Sequence, residues 1–347
     1  MYERKEINMG NKLNENDARL YGWEHPDDIR EFRLKNKSML KKDKRTTLPE
    51  AVKRGVKEGA YVAFGGMGSV RSSVAAVHEV IRQKIGDLTV AAKGNQYDWQ
   101  LLASAGNVTK AEVAYGFADE IRGLSRPLRA AAESGRLKVL SETTNAGFQW
   151  RLTAASKGLS FYPTKSALGT DTSGYSGAKT ITDPFTGEPI ELLPACFPDV
   201  AFIHVHRADK YGNCQIDGNI ATDFELAHAA KFVLITAEEI VDHEIIQQAP
   251  ELTKIPYFVV DAVVEVPYGC HPNQLPRAYS FDEDHWREWL DASLTDEGVE
   301  KYFEEYVYGT EDHFEYLEKI GGLKVINELE KIEHRQTPYP KVARRQG

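Results

Sequence analysis

The order of hydrophobic and polar positions along the chain predicts a repeated alternation of strand and helix. Short apolar runs rich in β-branched residues are followed by longer stretches in which apolar positions recur every three or four residues. The runs predict buried strands at residues 61–64, 88–92, 111–115, 137–140, 200–205, 232–236 and 257–266. The intervening stretches predict helices at residues 47–59, 71–83, 98–103, 125–134, 146–157 and 221–230. This alternation is typical of parallel strands joined by right-handed crossovers.

The two ends of the chain differ from this pattern. Residues 1–46 are polar and include the basic run KNKSMLKKDKR, so we interpret them as an extension that wraps a partner or its own core. Residues 281–347 are acidic and helical, with aromatic residues at steps typical of core or interface packing. We therefore divide the chain into an N-terminal extension (1–46), an α/β domain (47–280) and a C-terminal segment (281–347). The predicted fold class is α/β, with an open, mainly parallel sheet, flanking helices and a helical C-terminal tail.

Composition narrows the class of protein. The 347 residues carry 43 Lys and Arg against 52 Asp and Glu, a formal net charge of −9, which argues against a general nucleic-acid binder. Three scattered cysteines, Cys196, Cys214 and Cys270, are too few for a disulfide framework or a four-cysteine zinc site. No run approaches the 18 or so apolar residues of a membrane span, and residues 1–10 do not resemble a secretory signal. We expect a cytoplasmic protein.

Ligands of open parallel sheets bind beyond the carboxyl ends of the strands, so the loops at that edge are the candidate sites. The loop Gly65–Ser69 (GGMGS) is the most suggestive, because glycines allow close backbone approach and N–H groups opening the next helix favour an anion or an oxyanion. It matches neither the dinucleotide fingerprint nor the P-loop, and a simple tight turn is the alternative. The candidate substrate-binding residues at this edge are Gly65, Gly66, Met67, Gly68, Ser69, Gly94, Asn95, Gln96, Gly116 and Phe117.

Other residues with chemical potential have a structural interpretation beside the functional one. His204 and His206 share one face of a strand, but the sequence indicates no third metal ligand, so we favour structural histidines and expect no metal. Cys270 and His271 follow a turn, and adjacent side chains diverge, which favours turn packing over a nucleophile–base pair. The loop acids Asp119 and Glu120 follow a strand end and are either a base or nucleophile, or solvated acids.

Several segments together resemble a known family, the A subunits of class I CoA-transferases, and within that class the glutaconate type. The similarity extends from about residue 48 to about residue 326. The segments that carry it are YVAFGG (61–66), GLSRPLR (123–129), PDVAFIH (198–204), AEEI (237–240), VDAVV (260–264) and PYGCHP (267–272).

The resemblance implies that the chain is half of an enzyme. In that family the nucleophile is a glutamate in a Ser-Glu-Asn-Gly setting, which in glutaconate-type enzymes lies on the B subunit. This chain has no such motif; its nearest string, residues 141–144 (SETT), is interpreted as the end of a strand. The implied function is transfer of CoA between an acyl-CoA, with a dicarboxylic acyl group such as glutaconyl, and a carboxylic acid. The implied partner is a B-type subunit, CoA is a substrate, and no tightly bound cofactor is expected.

Two other functions remain open at this point. A neighbouring branch of the superfamily hydrolyses a carbon–carbon bond in a cyclic CoA thioester, and its A subunits carry an acid in the loop after the strand that matches residues 111–115. Glu120 stands near that position and would be the catalytic residue of such a hydrolase, whereas a transferase needs no catalytic residue from this chain. The third possibility is a non-catalytic, CoA-binding scaffold subunit.

Overall fold

A computed structural model describes residues 22–94, 96–119 and 121–344 of the chain. Its strands are β1 (Tyr61–Phe64), β2 (Leu88–Lys93), β3 (Val108–Ala114), β4 (Ala118–Asp119), β5 (Gly123–Leu124), β6 (Lys138–Glu142), β7 (Phe161–Thr164), β8 (Lys179–Thr182), β9 (Pro189–Pro194), β10 (Val200–Asp209), β11 (Cys214–Gln215), β12 (Phe232–Val241), β13 (Thr253–Ile255) and β14 (Ala262–Glu265). None of the helices in these ranges is long and apolar enough to cross a membrane.

The α-helices are α1 (Pro26–Asn36), α2 (Leu48–Gly55), α3 (Val74–Arg82), α4 (Tyr97–Ser104), α5 (Arg126–Glu133), α6 (Asn145–Ser156), α7 (Asp171–Tyr175), α8 (Asp223–Ala229), α9 (His243–Gln248), α10 (Glu283–Ala292), α11 (Asp296–Phe303), α12 (His313–Lys319) and α13 (Gly322–Glu333). Short 3-10 turns span Pro250–Leu252 and Tyr257–Val259, and a π-helical turn spans Glu304–Tyr308. Thr47 and Glu50 form a capping box, which explains why α2 begins at Leu48.

The central sheet is parallel and open, as the alternation of elements predicts. Seven strands lie in the order β14-β12-β10-β1-β2-β3-β6, and each neighbouring pair is parallel. The short strands β11 and β13 add antiparallel pairing beside the carboxyl end of β10. A separate antiparallel sheet, β7-β9-β8, and the hairpin β4-β5 were not predicted from the sequence. The carboxyl ends of the parallel strands therefore share one edge of the molecule.

Hydrophobic packing covers both faces of the central sheet. One face packs against α2 to α5 and the C-terminal helices, where Trp286, Trp289, Tyr302 and Phe303 are buried in the same cluster as strand residues. This is the packing role expected for most of the aromatic positions in the tail, although Phe314 remains 58% exposed. The other face packs against α6 and α8. Because both faces are covered, the central strands are continuously apolar rather than alternating.

The described part of the N-terminal extension packs against its own chain. The Arg33 guanidinium donates to the backbone carbonyl of His228, and Lys37 pairs with Asp261. Arg45 forms a parallel bridge with Val263, and the Thr46 N–H donates to the Val263 carbonyl at 3.1 Å. These residues therefore lie beside β14, against the core of their own chain.

Two predicted elements differ from the structure for identifiable reasons. The single strand expected at residues 257–266 is a 3-10 turn followed by β14, because Asp261 interrupts it: its Oδ2 accepts the Val233 N–H at 2.7 Å and pairs with Lys37. The helix expected from residue 71 begins only at Val74. Arg71 has φ +60° and its N–H donates to the Gln274 carbonyl at 2.9 Å, a geometry that no α-helix permits.

Candidate active site

The carboxyl edge of the sheet brings three of the predicted loops into contact. The Gly68 N–H donates to the Gly94 carbonyl at 2.7 Å, and the Gly94 N–H donates to the Ala114 carbonyl at 2.9 Å. The loops after β1, β2 and β3 are thus connected in the order in which their strands lie in the sheet. Met67 is 47% exposed and lies near Gly94: a Cβ added to Gly94 would be 3.9 Å from the Met67 Cγ.

The backbone amides of the glycine loop do not face an open site, and this corrects the expectation that they bind an anion. The bonds are Gly65 N–H to Phe202 O (2.8 Å), Gly66 N–H to Asp223 Oδ1 (2.7 Å), Met67 N–H to Val70 O (3.1 Å) and Gly68 N–H to Gly94 O (2.7 Å). The first turn of α3 is also bonded, with the Ala75 N–H donating to the Gly269 carbonyl at 3.1 Å. Any role of this loop in binding therefore depends on its shape rather than on free N–H groups.

Two glycines of this loop have left-handed backbones but different surroundings. At Gly66, with φ +72°, an added Cβ would lie 2.2 Å from the Val70 carbonyl oxygen, so only glycine fits. At Gly68, with φ +62°, an added Cβ would meet nothing within 4 Å. Gly66 thus maintains the turn, whereas Gly68 borders open space.

A groove of about 630 Å³ lies at the carboxyl ends of β3 and β6 and contains two of the predicted residues, Gly116 and Phe117. Gly116 is tightly packed there, because a Cβ would lie 3.0 Å from the Ala92 Cβ. Phe117 meets Trp99 edge to face at 5.5 Å, which fixes one wall. The remaining lining residues are Val113, Tyr115, Glu142, Thr143, Thr144, Asn145 and Thr172.

Most of the opposite wall was missed by the sequence analysis, which treated residues 141–144 only as the end of a strand. The structure confirms that β6 ends at Glu142, yet the Glu142 side chain is exposed and lines the groove. Thr144 caps α6, its Oγ1 accepting the Gly147 N–H at 2.9 Å, and Asn145 opens the helix. In the sequence, the local signal for this helix start is a threonine at the N-cap position, immediately before the helical stretch. Asn145 also reaches Gly94: its Nδ2 would lie 3.2 Å from a Cβ there.

A buried polar network lies between β3, β6 and α6, behind this wall. Glu112, fully buried, accepts hydrogen bonds from Ser141 Oγ (2.8 Å), Arg151 Nη1 (3.1 Å) and the Tyr61 hydroxyl. Burial alone would lower the pKa of Arg151, but the Glu112 carboxylate raises it overall. Burial raises the pKa of the neighbouring Cys196 thiol to about 12, so this cysteine stays protonated. The network stabilises the elements that form the groove and does not itself reach solvent.

The histidines and cysteines considered as catalytic or metal-binding candidates have structural partners. His204 bonds to Thr236 Oγ1 (2.9 Å) and Glu238 Oε1 (2.7 Å), and His206 bonds to the Pro276 carbonyl (2.8 Å). His271 is bonded within the core to Tyr316 and Asp282, as the turn-packing interpretation predicts. All three cysteines are free and buried. The described residues contain no group of three or more His, Cys, Asp or Glu side chains that fits a metal ion.

Two of the predicted site residues, Asn95 and Glu120, lie outside the described residues. Gln96 is buried at the start of α4 and Ser69 is buried in the glycine loop, so neither presents a large surface to a ligand.

Comparisons with known proteins identify the family. The family model "Coenzyme A transferase" matches residues 45–266. The chain is 33% identical over 299 residues to the A subunit of glutaconate CoA-transferase from Acidaminococcus fermentans, covering 81% of this chain and 93% of that protein. The crystal structure of glutaconate coenzyme A-transferase from the same organism aligns with a TM-score of 0.79 and 32% identity, covering 82% of this chain and 95% of that one.

Two further relatives show the range of named activities among similar chains. The chain is 33% identical to the A subunit of 3-oxoadipate CoA-transferase from Pseudomonas knackmussii, covering 79% of this chain and 97% of that protein. It is 30% identical to the IpdA subunit of a cholesterol ring-cleaving hydrolase of Rhodococcus jostii, covering 79% and 95%. The chain belongs to the coenzyme A transferase family, and among its members it is similar to the A subunits.

Proposed function

We propose that this chain is the A subunit of a heteromeric CoA-transferase that exchanges CoA between a dicarboxylic acyl-CoA and a carboxylic acid. The observation that carries the proposal is a substrate-sized groove at the carboxyl edge of a chain whose sequence contains no Ser-Glu-Asn-Gly. A chain that binds substrate but lacks the nucleophile requires a partner that supplies it. The names of the similar transferase subunits, for glutaconate and for 3-oxoadipate, support a dicarboxylic acyl group.

In the proposed reaction the partner's glutamate carboxylate attacks the acyl-CoA carbonyl carbon and expels CoA thiolate, which gives a mixed anhydride. The thiolate then attacks the glutamyl carbonyl carbon and releases the donor carboxylate, leaving a glutamyl-CoA thioester. The acceptor carboxylate repeats the two steps in reverse. No external oxidant, reductant or water is consumed, so exclusion of water from the groove is part of the catalytic task.

The contribution of this chain is to bind and orient the acyl group. Phe117 and Val113 supply apolar walls, and Asn145 and Thr143 supply neutral polar groups at the mouth of the groove. The amides of Gly66, Met67 and Gly68 are already bonded within the chain. We therefore assign the donor for an oxyanion to the Asn145 side chain instead of to these amides. Gly65–Ser69, Gly94–Gln96 and Gly116–Phe117 remain the proposed substrate-binding loops, with Met67 and Gly94 adjoining Asn145.

The test uses the complex of this chain with the product of an adjacent reading frame that contains Ser-Glu-Asn-Gly. Incubation with glutaconyl-CoA followed by borohydride reduces a glutamyl thioester to an alcohol that mass spectrometry locates. We expect the reduced glutamate on the partner and none on this chain, and we expect the isolated chain to be inactive. Full CoA transfer by the isolated chain would contradict the proposal.

Ring-opening hydrolysis is the second candidate, favoured by the similarity to the cholesterol ring-cleaving hydrolase subunit. Glu120 separates the two chemistries. As a base that activates water it would contribute roughly 100- to 10,000-fold, so Glu120→Ala would nearly abolish hydrolysis. In a transferase the same substitution leaves formation of the glutamyl thioester nearly unchanged, which is the result we expect. Glu58→Ala, an exposed acid at the end of the sheet away from the groove, is the matched control. No adduct together with an inactive Glu120→Ala complex would replace transfer by hydrolysis.

A further inference from the structure

Lys93 is a buried cation that has no hydrogen-bonded or ion-paired partner within the described chain. Its side chain is only 6% exposed. The other well-buried cations nearby differ, since Arg71 pairs with Asp223 and Arg151 pairs with Glu112. Burying an ammonium group without a partner is costly, so proteins rarely keep one unless it serves a purpose. Lys93 therefore needs an explanation that the fold does not supply.

The position of Lys93 connects it with the candidate active site. It is the last residue of β2, paired in register with Ala114 of β3, and it immediately precedes Gly94. Side chains alternate along β2, so Lys93 points to the other face of the sheet from Val90 and Ala92. That other face is the one covered by α6 and α8. Gly94, the next residue, accepts the Gly68 N–H of the glycine loop and lies beside the Asn145 side chain. Lys93 thus stands at the carboxyl edge of the sheet, on the face that α6 and α8 cover.

The surrounding charges favour a compact anion over a large one. Burial lowers the pKa of Lys93, and the carboxylates of Asp223 and Glu225 partly oppose that effect. Asp223 is already occupied, because it binds the Arg71 guanidinium and accepts the Gly66 N–H. A lysine carries three N–H donors and no acceptor, so the donors of Lys93 are available. A carboxylate brings one negative charge to this place, whereas a diphosphate would bring more volume and more charge close to Glu225.

We propose that Lys93 binds the carboxylate at the far end of a dicarboxylic acyl group, the one that does not react. Lys93 is then a positioning and specificity residue: it fixes the distal end of the acyl chain so that the thioester carbon reaches the partner's glutamate. This inference rests on the proposed function, and it goes beyond it by assigning one side chain to one substrate group. It also explains why the cation is kept at this edge although no protein group neutralises it directly.

Binding of two small acids to the full chain in complex with its partner tests the assignment. Glutarate and pentanoate have the same carbon number, and only glutarate has a second carboxylate. We expect glutarate to bind more tightly by calorimetry, and Lys93→Met to weaken it about 10- to 100-fold, as for one lost hydrogen bond between charged groups, while pentanoate is unaffected. Lys93→Arg is expected to retain part of the difference in affinity between glutarate and pentanoate. Lys138→Met removes an exposed lysine at the start of β6 and serves as the matched control, expected to behave like wild type.

A second measurement on the wild-type protein covers the case in which Lys93→Met does not fold. Formaldehyde with cyanoborohydride methylates lysine amines, and mass spectrometry first measures the rate at Lys93 in the free complex; glutarate, but not pentanoate, is expected to slow that rate. Equal binding of both acids, or absence of protection by glutarate, overturns the assignment of Lys93.

The two proposals also fail separately. A Lys93→Met complex that still forms the glutamyl thioester from a monocarboxylic acyl-CoA leaves the transferase function intact. A wild-type complex without the thioester, but with glutarate binding that depends on Lys93, overturns the transferase mechanism and keeps the carboxylate site.

Discussion

At the scale of single residues, Gly66 and Gly68 form a matched pair in the loop after β1. Both have left-handed backbones, but only at Gly66 would a Cβ collide with a backbone oxygen, that of Val70 at 2.2 Å. Gly68→Ala carries only the conformational cost of a left-handed alanine, roughly 1–2 kcal/mol. We expect Gly66→Ala to lower the free energy of unfolding by more than that, because the Val70 carbonyl must also move. Urea denaturation of both variants measures the difference.

Equal losses in the two variants would show that the Val70 contact is relaxed without cost. Activity alone is a poor readout here, because Gly66→Ala would disturb the loop even if no substrate touched it. Stability and activity have to be measured on the same two variants.

Residue chemistry was the level at which sequence reasoning was least complete. The loops after β1 and β3 follow from the rule that ligands bind beyond strand ends, and Gly116 and Phe117 do line the groove. The bonding of the Gly65 and Gly66 amides was not predictable, because their acceptors, Phe202 and Asp223, lie more than 130 positions away. Lys93 gave no signal for the same reason: a lysine at a strand end looks exposed until the helices covering it are known.

At the scale of elements, β3, β6 and α6 depend on the buried pair Glu112–Arg151. Arg151→Met leaves Glu112 charged and buried with only the hydroxyls of Tyr61 and Ser141, so we expect a loss of about 3–5 kcal/mol in the free energy of unfolding. Replacing both partners, Glu112→Leu with Arg151→Met, should cost less than the sum of the single losses, because no unpaired charge remains. A double-mutant cycle by chemical denaturation measures this coupling.

The control for that cycle is the exposed pair Arg129–Glu133 on α5, in which both side chains are at least 60% exposed. Arg129→Met should leave the free energy of unfolding almost unchanged, since solvent screens such a pair. A loss of the same size at Arg129 and at Arg151 would contradict the idea that burial decides the value of the pair.

The elements themselves were largely predictable because their causes are local. Thr47 and Glu50 form a capping box, and β10 is an apolar strand, so the start of α2 and the position of β10 follow from nearby residues. The small sheet β7-β9-β8 was missed because its outer strands, β7 and β8, are mostly exposed and lack a buried alternating pattern. The apparent strand at residues 257–266 was interrupted by Asp261, whose partners Lys37 and Val233 are remote in sequence. Local pattern thus identified elements, and distant polar contacts decided where they end.

At the scale of the whole molecule, the C-terminal helices are joined to the α/β core by a cluster of buried histidines and tyrosines. His285 bonds to Tyr302 at 2.6 Å, and His271 bonds to Tyr316 at 2.6 Å and to Asp282 at 3.0 Å. Burial lowers the pKa of His285 to about 3 and of His313 to about 4, and that of His78 well below its ordinary value. These rings fold as neutral groups, and the whole tail packs around them.

The consequence is a loss of stability on acidification, with a sign that follows from proton linkage. Between roughly pH 6.5 and the lowered values, the unfolded chain binds protons at His78, His285 and His313 that the folded chain refuses. Stability is therefore complete above the unfolded pKa and falls as pH decreases, by up to about 1.4 kcal/mol per pH unit for each histidine. Asp282 adds to the loss below its ordinary range: burial would raise its pKa, but bonds from His271 and the His285 N–H lower it to about 2.

Urea denaturation between pH 7.5 and pH 5 tests this, and we expect the midpoint to fall steeply below pH 6.5. His313→Gln should reduce the slope of the free energy of unfolding against pH by the equivalent of about one proton, because glutamine does not titrate. This holds even if the variant is less stable at pH 7.5. A midpoint independent of pH over this range would mean that the buried rings accept protons as readily as the unfolded chain does. The packing between the C-terminal helices and the core would then be accessible to water.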